Sequence, residues 1–136
     1  MSRELIEDYL KRAKIRLRLL EEFLKEKDYA DVIRVSQEVV ELAQKAILLR
    51  MGITPPKWHE VIDIILENRE KLPQGVFLKL VELRRDSKWL RSQREIAFYG
   101  DVDFVPTKEY VPEDAQRAIS VAKEFMDLAS LITTPK

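Results

Sequence analysis

Apolar residues recur every three or four positions through almost the whole chain, and this spacing constrains the fold more than any other feature. Ile6, Leu10, Ala13, Leu17, Leu20 and Leu24 trace one stripe. Such a period places them on one face of an α-helix, with charged residues on the other. A strand would need alternation, and no segment shows it clearly. The expected fold class is therefore all-α, an antiparallel up-and-down bundle of four long helices plus one short helix.

Helix breakers cut the pattern into five segments. The first runs from about Ser2, a candidate N-cap, to Lys27. The second follows Asp28, another cap residue. Val32, Val39, Ala43, Ala46, Ile47 and Arg50 mark its inner side, and Gly52 is its stop. The prolines of "ITPPKW" exclude a continuous helix there. The third segment spans about Trp58 to Lys71, with Trp58, Val61, Ile62, Ile65 and Leu66 on one face. The fourth spans about Val76 to Tyr99, with small or apolar residues at 76, 80, 83, 87, 90 and 97. "GDVDFVPTKEYV" is a long loop, a feature that is often functional. The last helix begins near Pro112, with Glu113 and Asp114 in its first turn and an inner stripe of Ala115, Ala118, Ile119, Ala122, Phe125, Met126 and Ala129.

At 136 residues, one domain over 1–136 is expected. The absence of cysteine excludes a disulfide scaffold, a thiolate metal site and a cysteine nucleophile. The N-terminal stretch has no secretory apolar core, and no apolar run is long enough to span a bilayer, so a cytoplasmic protein without membrane association is expected. A formal net charge of zero gives no global argument for nucleic acid. Charged residues at 35%, no Cys and only three Gly would suit a thermophile.

Local charge says more. Arg84, Arg85, Lys88, Arg91 and Arg94 crowd one stretch opposite a single acid, Asp86. Arg84, Lys88 and Arg91 share a helical face that could hold an anion or simply face water. Arg94 falls on the stripe of Leu83, Leu90 and Ala97, where a charge needs a partner: a carboxylate of the fold, such as Glu41, or a ligand phosphate. His59 is the only histidine and has no ligand spacing around it, so no metal site is expected; beside Trp58 it reads as a residue packing the start of the third helix. Glu60 and Asp63 read as first-turn acids favoured by the helix dipole. No glycine-rich phosphate loop or nucleophile elbow is present, and no cofactor is expected.

The stretches "LKEKDYADVI", "VSQEVVELAQKAILLRMGITPPKWHEV", "REIAFYGD" and "YVPEDAQRAISVAKEF" together resemble the HEPN domain family, of the small stand-alone prokaryotic or archaeal type. The resemblance implies a helical bundle that dimerises, often paired with a minimal nucleotidyltransferase in a toxin–antitoxin system. It also implies, in many members, a metal-independent ribonuclease whose motif is Arg, a polar residue, a short spacer and His. Arg94 and Glu95 match the first two positions, and Tyr99 stands where the His should be. Imidazole can move protons near neutral pH, whereas tyrosine, with an ordinary pKa near 10, is a poor substitute.

The expected protein is therefore a homodimer binding nucleotide or RNA phosphate through Arg94 and Arg91, with Lys88 and Arg84 as further contacts. It is non-catalytic or weakly active. The alternatives are an endoribonuclease using Arg94, Glu95 and Tyr99, or a partner of a nucleotidyltransferase with Arg94 held by Glu41. Off-stripe aliphatics Ile15, Leu19, Val40 and Ile64 are expected to feed the dimer interface.

Overall fold

The computed structural model describes residues 3–57 and 60–134. Its elements are α1 (Arg3–Lys25), α2 (Tyr29–Arg50), α3 (Val61–Glu67), a 3-10 turn (Arg69–Lys71), α4 (Gln74–Tyr99), a one-turn α5 (Pro106–Glu109) and α6 (Pro112–Thr133). The all-α bundle expected from periodicity is present. Ser2, expected to cap α1, and Trp58 and His59, expected to pack the start of the third helix, lie outside the described residues. The third segment is shorter than expected: it starts at Val61, and it is divided at Asn68, whose side-chain amide donates to the Ile64 carbonyl at 2.8 Å. The long loop contains α5, which its spacing did not reveal.

Local chemistry sets the helix ends. Lys27 adopts φ 58°, and the amides of Lys27 and Asp28 close back onto the carbonyls of Leu24 and Phe23 at 3.0 and 2.9 Å. Gly52, at φ 81°, does the same after α2, with its own amide bonded to Leu49 and that of Ile53 to Leu48. Both are left-handed caps that satisfy orphan carbonyls, and the first uses a lysine where glycine is the commoner choice. The link of only three residues between α1 and α2 makes them antiparallel neighbours. α6 starts on Pro112, and the Asp114 carboxylate accepts from the Val111 amide at 3.0 Å.

α2 is the central helix. It packs against α1, α3, α4, α5 and α6, so that apart from a half-buried polar edge of Asp31, Arg34, Glu38, Glu41 and Lys45 most of its surface is covered. Two expectations are corrected here. Val40, read as off-stripe, is buried, and Arg50, read as inner, is exposed at the last position of the helix. A helix packed against five others buries residues well beyond a one-face stripe, and its end still meets solvent. Ile33, Ile47 and Leu48 of α2 and, around that helix, Leu20, Ile62, Ile65, Leu80, Leu90 and Phe125 are all fully buried. Ala13, Ala43, Ala118, Ala122 and Ala129 are also fully buried, which lets helix axes approach closely. α4 is fixed to α6 by Arg117, which donates twice to Asp86 at 2.9 and 2.7 Å and lies 3.9 Å from the Trp89 ring centroid.

The end of α4 is held by the loop after it. Gly100 has φ 68°, and a Cβ there would sit 2.7 Å from both the Phe104 carbonyl oxygen and Pro106 Cδ. Only glycine fits without displacing backbone. Asp101 and Phe104 exchange backbone hydrogen bonds, and Phe104 meets Tyr110 edge to face at 5.6 Å. The Tyr110 hydroxyl donates to Gln93 Oε1 at 2.8 Å, tying the loop back onto α4.

Asp28, the N-cap of α2, accepts from the Asp31 amide at 3.2 Å. Burial is the largest cause pushing its carboxyl up to about 6 from an ordinary 3.8, and its hydrogen bond with the Asp31 carboxyl adds to the rise; Asp31 moves the opposite way, below its ordinary value. The folded state thus holds a proton that the unfolded chain releases. That contribution favours folding below pH 3.8 and is lost as pH rises through about 6. Asparagine caps as well as aspartate and stays neutral. Asp28→Asn is expected to raise the melting temperature at neutral to mildly alkaline pH, with the gain shrinking toward zero as pH falls to about 4. Thermal melts across that range check it; a gain independent of pH would contradict the assignment.

Candidate functional site

Arg94 lies near the C-terminal end of α4. Ideal helical spacing puts it between Ser87 and Leu90, inside the arc of the buried stripe, so periodicity does not account for its exposure. Leu90 and Ala97 are buried, but the Arg94 side chain is 55% exposed. Its Nη1 stands 3.6 Å from Glu41 Oε2, and Glu41 also faces Lys45 Nζ at 3.5 Å. This is a charge pair rather than a tight hydrogen bond, and it leaves guanidinium donors available.

Arg94 lines a groove of about 610 Å³ between α2 and the end of α4. Arg91 and Arg34 line the same groove, with Phe98 and Tyr99 at one side and Glu38, Ser92 and Glu95 completing the wall. Tyr99 is 78% exposed, and it meets Phe98 edge to face with centroids 4.6 Å apart. Arg34 comes from α2, sixty positions before Arg94. Its Nε donates to Asp31 at 3.0 Å and its Nη1 to Glu38 at 2.8 Å, and its guanidinium lies 5.2 Å from the Phe98 centroid. Arg16 of α1 donates to the other oxygen of Glu38 at 2.9 Å. Arg34 is thus held in place by two carboxylates and one ring.

Arg34, Glu38 and Phe98 escaped the sequence reading. The (i, i+3) and (i, i+4) spacing of Asp31, Arg34 and Glu38 signals only a surface ion pair, with nothing to connect it to α4.

The expected basic face divides. Arg91 lines the groove, but Arg84 and Lys88 are engaged by α3: Arg84 Nε donates to Asp63 Oδ1 at 2.9 Å, and Lys88 Nζ lies 2.8 Å from Asp63 Oδ2 and 3.2 Å from Glu60 Oε2. The Lys88 hydrogen bond, more than any other cause, holds the Asp63 carboxyl below its ordinary value, and Asp63 in turn raises Lys88. Glu60 and Asp63, read as dipole residues, therefore also bind the two cations that the sequence assigned to an anion.

The groove offers two guanidinium groups from α4 and one from α2, two exposed rings and two carboxylates. A planar guanidinium fork suits phosphate, and an exposed ring suits a flat heterocycle. Among the described residues no imidazole lines the groove, and no three of His, Cys, Asp and Glu come together to hold a metal ion. No described helix is long and apolar enough to cross a membrane. The profile of the HEPN domain family matches residues 6–132. No curated protein matches the chain.

Proposed function

The chain belongs to the HEPN domain family, and we propose that it is a phosphate-binding homodimer whose ligand is a nucleotide or RNA, with little or no ribonuclease activity of its own. The observation that supports this reading is the convergence of Arg34, Arg91 and Arg94 on one open groove beside Phe98 and Tyr99. The weak or absent activity follows from Tyr99 at the position where the family motif carries its histidine. Of the four cations first considered, Arg91 and Arg94 line the groove and are the phosphate contacts favoured here; Arg34 lines it too but, like Arg84 and Lys88, is already held by carboxylates.

Binding of adenosine monophosphate and of a short single-stranded RNA, followed by calorimetry or fluorescence anisotropy, tests the reading. Arg94→Ala is expected to weaken binding by about tenfold or more, since charge-assisted hydrogen bonds contribute about 1.5–3 kcal/mol. The same change is expected to lower stability by less than about 1 kcal/mol, because a half-exposed pair contributes little. A protein that unfolds on this substitution, with wild-type affinity in whatever folds, would sink the proposal.

Ile15 and Leu19 of α1 are solvent-exposed aliphatics and support the dimer; Val40 and Ile64, buried and half-buried, do not contribute to that argument. Light scattering is expected to give twice the monomer mass, and a monomer at high micromolar concentration would refute the dimer.

A second reading is favoured by the Arg94–Glu41 pair. In it the groove is an internal structural feature, and the protein acts as the partner of a minimal nucleotidyltransferase. The two readings part on whether Arg94→Ala changes ligand affinity or stability.

A further inference from the structure

A small void lies between α2, α3 and α4, behind the groove. It has room for about one water-sized sphere, roughly 10 Å³. Gln37, Glu41 and Gln44 line it from α2, Glu60 from the start of α3, and Ser87 and Arg91 from α4. Val40, Val61 and Ile62 complete a lining that is part polar and part apolar. Gln44 Nε2 donates to Ser87 Oγ at 2.7 Å, and both residues are buried. Gln37 is only 4% exposed, yet its Oε1 has no hydrogen-bond partner in the protein. Buried carbonyl oxygens almost always have one.

We propose that this void is a binding site for a single ordered water molecule, which donates to Gln37 Oε1 and accepts from the Arg91 guanidinium. The size suits this ligand, since a polar cavity of about one sphere with two or more polar partners is what a buried water requires. A metal cation fits poorly. Glu41 is paired with Arg94 and Lys45, Glu60 with Lys88, and the Arg91 guanidinium would repel it.

Arg91 gives the water a consequence. It lines both the void and the groove, and among the described residues it has no ion-pair or hydrogen-bond partner. A water bonded to Gln37 would hold the inner side of the guanidinium and leave its outer side for a ligand. Gln37 is then a positioning residue for Arg91. This consequence rests on the proposed phosphate-binding groove; the water site itself does not.

The test uses ligand-free protein. Nuclear Overhauser transfer from long-lived water to the side-chain amide protons of Gln37 and Gln44 is expected, together with a water peak at Gln37 Oε1 in a high-resolution crystal structure. In Gln37→Met, which keeps the side chain's length and removes the acceptor, the transfer to Gln44 should disappear. Affinity for adenosine monophosphate should fall by about fivefold, the worth of one net hydrogen bond. A dry void, with the Gln37 amide turned over to donate directly to Glu41, would overturn the proposal. If the water is found and wild-type protein binds no adenosine monophosphate, the water site stands and the groove reading fails.

Discussion

Tyr99→His is expected to produce RNA cleavage at a rate well above that of the wild-type chain, which under the proposed function is expected to show little or none. The substitution completes the motif that the family resemblance implies: Arg94, a polar neighbour in Glu95, and an imidazole five positions after the arginine. The site can accept it. Tyr99 is 78% exposed and makes no side-chain hydrogen bond, so the smaller ring neither opens a cavity nor orphans a polar group. Imidazole, with an unperturbed pKa near 6.5, can take a proton from a ribose hydroxyl or give one to a leaving oxygen at neutral pH. General acid–base catalysis contributes about 10²–10⁴-fold, so a rise of at least about a hundredfold in metal-independent cleavage of single-stranded RNA is expected. Adding Arg94→Ala to the histidine variant should abolish the gain, because the scissile phosphate loses its guanidinium. If Tyr99→His folds, binds RNA and still cleaves no faster than wild type, the reading of position 99 as the missing catalytic position is wrong. Robust cleavage by the wild-type chain, lost in Tyr99→Phe, would favour the endoribonuclease alternative instead.

The largest effect on stability is expected from Phe125→Ala. Among the described residues Phe125 of α6 is the largest fully buried side chain, and it belongs to the main apolar cluster, which also contains Ile33, Ile47, Leu80 and Leu90. Its removal loses the transfer free energy of the ring and leaves a cavity that rigid neighbouring helices fill only in part. Phenylalanine-to-alanine changes in such settings cost about 3–5 kcal/mol. Against a total stability of about 5–15 kcal/mol for a domain, that is a large fraction. The melting temperature should fall by roughly 10–20 °C. Urea titration at constant slope measures the cost directly, and a loss below about 1 kcal/mol would show that α6 repacks freely over α2. Phe125 is remote from the groove in sequence and lines none of it, so any folded fraction should retain ligand affinity.

The class of the fold, the extent of the long helices and several of their stops were determined by the sequence alone. The α1 stripe of Ile6, Ala13 and Leu20 is buried, as are Val76, Leu80, Leu83, Ser87, Leu90 and Ala97 on α4. Asp28, Gly52, Gly100 and Pro112 mark helix ends as their chemistry requires. These are local matters. A cap satisfies backbone groups within a few residues, and a three-to-four spacing records which face of a helix is dry. Only the tertiary structure decided what lies opposite each face. It made α2 the central helix, which buried Val40, while the bundle's end exposed Arg50. It gave Arg84 and Lys88 to Asp63, more than twenty residues away, and brought Arg34 beside Phe98. It also left Arg94 open to solvent, where periodicity alone suggested core. The physical reason is that helical periodicity is written along one segment, whereas an ion pair or a groove depends on the rotation and offset of two segments packed together. Those are set by the summed packing of all the helices, and no single stretch of sequence carries them.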